Sequence, residues 1–178
     1  VNSGTSEYGL SSKRFNQRKT ASHNTVEIDG KDSSQVWSSF RVANRAEIVS
    51  KYATLKTDQS IELFAAHNGY KSLFSGCIHE RKLILRENSL VVSDTLKGVF
   101  KKAKSRFYFH PDLTVSLKDN LLKIEGIEFC LHSNVKGKKA SLIDTLWFPE
   151  FGIEESNKML ELQVEGPTIE IEFSWSNF

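Results

Sequence analysis

Thr168-Ile169-Glu170-Ile171-Glu172-Phe173-Ser174-Trp175, near the end of the chain, puts Ile169, Ile171, Phe173 and Trp175 on one parity and Glu170, Glu172 and Ser174 on the other. Successive side chains of an extended strand point to opposite faces, so the stretch predicts a strand with one buried and one wet face. The same period recurs upstream. Thr25-Val26-Glu27-Ile28 alternates and stops at the turn signal Asp29-Gly30. Further runs of strand character cover residues 46–52, 60–65, 77–86, 90–96, 105–110, 113–117, 121–125, 127–132, 141–148 and 159–164.

Gly, Asn and Asp punctuate these runs, and no long window carries a 3.6-residue apolar stripe. Roughly a dozen strands exceed one small sheet, which predicts two packed sheets. The expected fold is therefore all-β: an antiparallel two-sheet β-sandwich with few or no helices. It forms a single domain over residues 1–178, a length that buries a core without staples. Val26, Ile28, Ile48, Leu63, Ile84, Leu85, Val91, Ile124, Leu142, Ile169, Ile171 and Phe173 are the expected core. Ile84 and Leu85 are adjacent and share it only if both faces of their strand are covered. Residues 1–22, rich in Ser, Gly, Asn, Lys and Arg, read as an irregular lead-in.

Lys and Arg (24) nearly balance Asp and Glu (22), so overall charge gives no case for nucleic acid. An acidic glycan needs only a local basic patch. The clusters Lys101-Lys102-Ala103-Lys104 and Lys136-Gly137-Lys138-Lys139 read as solvated turns. No apolar run approaches the ~20 residues of a membrane-spanning helix, and residues 1–20 are too polar for a signal peptide. The two cysteines, Cys77 and Cys130, have no metal spacing and leave pairing open. A start at Val1 instead of methionine points to a piece of a longer chain.

Chemistry-bearing residues gather in the first 41 positions. Gly4-Thr5-x-x-Tyr8-Gly9 comes first, then Arg14 and Arg18, then Ala21-Ser22-His23-Asn24-Thr25-Val26, then Phe40-Arg41, with echoes at Ala66-His67-Asn68-Gly69-Tyr70 and His79-Glu80-Arg81. In that order these elements resemble the heparinase II/III-like polysaccharide lyases, specifically their C-terminal sheet domain. The resemblance implies a sandwich of the supersandwich type preceded in the whole protein by a helical toroid. It also implies β-elimination on uronic-acid polysaccharides in a cleft between the two, and a periplasmic or secreted bacterial location. The expected partners are an acidic polysaccharide and the missing N-terminal helical domain, with neither nucleic acid nor a membrane span.

The resemblance gives His23 a catalytic role or that of a zinc ligand, and Tyr8 a place among the proton-exchanging groups. A phenol exchanges protons at neutral pH only beside a cation, which Arg14 or Arg18 would supply. Arg18 and Arg41 suit a uronate or sulfate through the guanidinium fork, and Asn24 suits a sugar hydroxyl or His23 itself. Where the family places an aspartate zinc ligand this chain has Asn2, a poorer ligand. Zinc is thus expected in the full-length protein and not in this piece, which alone should be inactive. Each residue also has a structural alternative: a hydrogen-bonded histidine at a strand start, a packed tyrosine, arginines paired with Glu7, Glu27 or Glu47. His67, Tyr70, His79 and Arg81 read as structural, and the aromatics Trp37, Phe40, Tyr52, Phe107 and Tyr108 as core before sugar platforms. The competing function is a non-catalytic carbohydrate-binding or scaffold module on the same fold, since fold does not fix chemistry.

Overall fold

The alternating runs do pair into sheets, and the computed structural model describes this for residues 1–38, 40–71 and 76–176. The strands are β1 (Val26–Ile28), β2 (Gln35–Trp37), β3 (Arg41–Ala43), β4 (Ile48–Leu55), β5 (Ile61–Tyr70), β6 (Cys77–Arg86) and β7 (Ser89–Lys97). They continue as β8 (Ala103–Tyr108), β9 (Thr114–Lys118), β10 (Leu121–Glu125), β11 (Cys130–Asn134), β12 (Ala140–Trp147), β13 (Glu155–Val164) and β14 (Thr168–Ser176). An eight-stranded sheet runs β4-β5-β6-β7-β14-β11-β10-β9, and a four-stranded sheet runs β1-β8-β13-β12. A separate ribbon joins β2 to β3. The fold is the expected antiparallel sandwich.

The C-terminal strand decides the core. Phe173, Ile171 and Ile169 of β14 lie opposite Leu90, Val92 and Asp94 of β7. Direct antiparallel partners share a face, so these side chains point together toward the small sheet. There Val92, Ile171 and Phe173 pack with Leu122, Ile124, Val135, Leu160 and Leu162. A second cluster at the β1 end holds Val26, Ile28, Tyr70, Cys77, Leu96, Ala103 and Val164. Cys77 and Cys130, on β6 and β11, are both buried free thiols.

Several core expectations need correction. Ile48, Leu63 and Leu85 are exposed, and Ile84, Leu142 and Ile169 are only partly buried. The reason is the unequal width of the sheets. The rows Leu55–Ile61–Leu85 and Ala53–Leu63–Leu83 continue the core face across β4, β5 and β6. Only Leu83 reaches the core cluster, while Leu63 is 43 % and Leu55 71 % exposed. Four strands do not cover eight. Ile84 sits opposite Val91 on the other face, so it and its neighbour Leu85 do not share a face.

The lead-in also contains a helix, α1 (Ser12–Arg18), that the sequence pattern did not announce. The Ser11 hydroxyl accepts from the Arg14 N–H at 2.9 Å and caps it. A single 3-10 turn (Thr20–Ser22) then leads to β1. The helix buries Gln17 instead of an apolar stripe: Gln17 Nε2 donates to Ser6 Oγ at 2.7 Å, and its Oε1 accepts from the Ser6 N–H at 3.2 Å.

Candidate active-site segment

Five separate contacts clasp residues 21–26 against the two sheets. Tyr108 of β8 donates its hydroxyl to the Ala21 carbonyl (2.5 Å) and its N–H to Asn24 Oδ1 (2.7 Å). The Arg106 N–H donates to the Thr25 carbonyl at 3.1 Å. Tyr70 of β5 donates to the Val26 carbonyl at 2.6 Å, and Arg81 of β6 donates through Nη1 to the Asn24 carbonyl. Burial pushes the Tyr108 phenol up, and lifts that of Tyr70 beyond the usual range. Both therefore stay protonated donors at neutral pH.

Behind Arg81 lies a buried network. Arg81 donates Nε to Asp94 Oδ1 (2.7 Å) and Nη2 to Oδ2 (2.8 Å), a bidentate pair. Ser105 of β8 donates its hydroxyl to Oδ2 at 2.9 Å, and His79 Nε2 lies 2.8 Å from Oδ1. Burial alone would raise the Asp94 carboxyl, but the Arg81 and His79 hydrogen bonds outweigh it and hold Asp94 well below the usual carboxylate range. Toward the sheet edge, on β5, His67 Nε2 is 3.1 Å from His79 Nδ1, and His67 Nδ1 accepts from the Gly69 N–H at 3.2 Å. That pattern assigns the tautomers: His67 keeps its proton on Nε2 and donates to His79 Nδ1, and His79 donates from Nε2 to Asp94. A proton on His67 Nδ1 would face the Gly69 donor, in line with a pKa lowered to about 4 by burial, then by His79 and Arg81.

Two glycines of the quoted motifs are required by close approach. Gly4, at φ +79°, lies with its Cα facing the Phe148 backbone, where a Cβ would collide with the carbonyl oxygen. At Gly69 a Cβ would strike the Ser33 carbonyl. Ser3 and Thr5 bracket Gly4 with hydrogen bonds to Phe148: its N–H donates to Ser3 O at 2.7 Å, and Thr5 N–H donates to its carbonyl at 3.1 Å. The segment carrying Tyr8 is thus anchored at Phe148, just past the end of β12.

The candidate residues divide clearly. His23 is half-buried next to the clasp; burial lowers its imidazole and Asp32 partly offsets this, so it is neutral at neutral pH. Tyr8 is 74 % exposed, with its ring 4.6 Å from Phe151 and the Arg14 guanidinium 6.0 Å from the ring centre. The cation beside Tyr8 is therefore Arg14. Arg18 points elsewhere, donating to the carbonyls of Ser38 (3.0 Å) and Arg41 (3.3 Å) and pinning the β2–β3 ribbon. Asn24 does not hold His23: its Nδ2 donates to the Val1 carbonyl at 3.0 Å while Oδ1 serves Tyr108. Arg41 is exposed, its guanidinium 4.9 Å from the Trp37 ring centre, and Phe40 beside it is exposed as well.

Expected ion pairs of Arg18 and Arg41 with Glu7, Glu27 or Glu47 are not among the contacts of the described residues. Glu27 instead pairs with buried Arg106 at 2.8 Å. Trp37, Phe40 and Tyr52 are surface residues, whereas Tyr108 is buried and Phe107 packs edge-on against Phe173. Sequence reasoning missed Asp94 and Ser105. A signal existed for Asp94, which shares parity with Leu90, Val92 and Leu96, where a carboxylate demands cationic partners.

Zinc does not fit these residues alone. The Asn2 amide oxygen accepts from the Asn24 N–H (3.3 Å), and Asp32 Oδ1 accepts from the Thr20 N–H (2.6 Å). Among the described residues no three His, Cys, Asp or Glu side chains are grouped to share a metal.

Fold and segment together define an antiparallel sandwich domain that presents a neutral histidine and an exposed tyrosine on a braced N-terminal strip. The chain belongs to the heparinase II/III-like family as its C-terminal domain, whose family model matches residues 1–176. Among solved structures it is similar to a heparinase III, the BT4657 gene product, at 12 % identity and TM-score 0.70. It is also similar to the heparan sulfate lyase HepC from Pedobacter heparinus, at 12 % identity and TM-score 0.67. In both, the match covers 99 % of this chain and 28 % of the other. No curated protein matches. No helix of the described residues is long and apolar enough to cross a membrane.

Proposed function

We propose that this chain is the sandwich domain of a polysaccharide lyase that cleaves uronic-acid-containing polysaccharides by β-elimination, forming one wall of the cleft. The observation that carries this is the family match over the chain's length together with the bracing of residues 21–26, which fixes the backbone on both sides of His23 while its imidazole stays neutral. In the reaction a cation or hydrogen-bond donor neutralises the uronate carboxylate and a base takes the C5 proton. An acid then protonates the departing C4 oxygen as the C4–C5 double bond forms. In this reading neutral His23 accepts or relays a proton at its free ring nitrogen, and Tyr8, beside Arg14, exchanges one with the sugar. Arg41, laid over Trp37, meets the anionic groups of the substrate, and Arg18 and Asn24 position the backbone. The remaining groups come from a helical domain of a longer chain.

Zinc in the longer protein would use His23 and take its other donors from outside these residues. Such a protein works in the periplasm or outside the cell, where acidic polysaccharides are met. The second reading, a non-catalytic carbohydrate-binding module, draws on Asn2 standing where the family resemblance expects a carboxylate.

The test is release of an ultraviolet-absorbing unsaturated uronate from heparan-type or alginate chains. This chain alone should release none, and the longer protein should release it. In the longer protein His23→Ala should lower the rate at least ~100-fold, the scale of losing an acid–base or electrostatic group. Tyr8→Phe should lower it with unchanged thermal stability. Near-normal rates for both variants would move the chemistry elsewhere; binding without product would favour the module.

A further inference from the structure

A cavity of about 850 Å³ lies away from the braced segment. It opens between the β7–β8 and β13–β14 connections, with Phe100, Val164 and Pro167 as its apolar floor and Lys101, Lys102 and Glu165 among its polar walls. Its volume is within the range of small-ligand sites. The chain places it at the opposite end of β8 from His23. Ala103 pairs with Ile28 at the cavity, and Tyr108 holds Asn24 at the other end. Five strand residues separate the two by roughly 16 Å.

The walls are fixed before any ligand arrives. Asp29 Oδ1 accepts from the backbone N–H groups of Lys101 (2.9 Å) and Lys102 (2.8 Å), and the Asp29 N–H donates to the Lys102 carbonyl (2.8 Å). The Leu96 N–H donates to the Pro167 carbonyl at 2.7 Å and joins the two connections. Charge in this corner is unbalanced. Lys104 is paired with Glu161 (2.8 Å), Lys97 with Glu80 (2.7 Å) and Lys139 with Glu165 (2.5 Å). Among the described residues, Lys101 and Lys102 have no carboxylate in ion-pair reach. Two exposed ammonium groups on a clamped loop above an apolar floor call for a ligand with an anionic edge and an apolar face.

We propose that this cavity is a second saccharide-binding site, which takes a short stretch of anionic polysaccharide at a distance from the cleavage point. The uronate carboxylate or sulfate meets Lys101 and Lys102, and the C–H face of the pyranose lies on Phe100 and Pro167. The choice of an acidic glycan rests on the functional reading above, whereas the site itself requires no catalysis. Holding the polymer at two points raises the effective concentration of chain at the cleft.

The experiment titrates a size-defined heparan-type oligosaccharide into the nitrogen-15-labelled 178-residue chain and follows amide shifts. Binding should move the amides of Val99, Lys101, Lys102 and Gly166. Lys101→Ala/Lys102→Ala, which removes both ammonium groups, should weaken it at least about tenfold, the scale of even one lost charged contact, with an unchanged melting temperature. Shifts confined to residues 22–41, or equal affinity in the double variant, would overturn the site. Equal competition by inorganic triphosphate would reduce it to an anion patch and overturn the saccharide assignment. Binding here without any unsaturated product from the longer protein defeats the lyase reading alone; product without an effect of the double variant on binding defeats this site alone.

Discussion

Asp94 carries its charge at 2 % exposure, where an unpaired carboxylate would not remain ionised. It is tolerated because Arg81, His79 and Ser105 occupy its lone pairs. Removing that charge leaves the Arg81 fork facing an amide and disturbs the contact to the Asn24 carbonyl. Asp94→Asn should therefore cost about 3 kcal/mol or more, the usual penalty for breaking a buried pair, as measured by urea unfolding. His67 sets a separate pH dependence. Its folded pKa of about 4 lies below its ordinary 6.5, so the unfolded chain binds more protons between those values. Stability contributed by neutral His67 is full above about 6.5 and is lost as pH falls toward 4, in the same direction as the lowered His23. Melting temperatures from pH 7 to 4 should fall, and His67→Gln should flatten that slope. A slope unchanged by the substitution would assign it to other groups. His79 and Arg81 were visible in the sequence as a motif echo. Their joint partner was not, because Asp94 is more than a dozen positions from either basic residue and meets them only across the β6–β7 pair.

Strands β4 and β5 show what a local pattern leaves out. Leu63 alternates as well as any core residue, yet it stands where the four-stranded sheet has ended. Leu122 has no better periodicity and is fully buried. Truncation separates them: Leu122→Ala should destabilise this chain by about 2–5 kcal/mol, the range for a filled core site, while Leu63→Ala should stay within about 1 kcal/mol. Equal losses in chemical denaturation would show that the outer strands are covered. The boundaries of β6 and β10 coincide with the sequence reading because turn residues flank both. The ribbon β2–β3 and helix α1 were not legible: neither builds a periodic apolar face, and both are held by polar contacts such as Arg18 to Ser38 and Gln17 to Ser6.

At the scale of the whole chain, order in sequence and order in space diverge. The last strand is inserted between β7 and β11, and β1 pairs with β8 across a long connection. Two sheets followed from strand number alone, whereas these neighbours depend on pairings between distant segments that no spacing encodes. The buried thiols offer a way to time how such an assembly comes apart. Cys77 starts β6 inside the small cluster at the β1 end; Cys130 starts β11, where its only β14 partner is Ser176 near the end of the chain. Each becomes a clock once an aromatic disulfide reagent is present, because a thiol shut inside the protein reacts only when its surroundings open. Cys130 should react first, through fraying of the β11–β14 end, and Cys77 only at the rate of global unfolding. Cys77→Ala and Cys130→Ala would assign the two phases. A single shared rate would mean that the sandwich opens in one concerted event, with every strand released together.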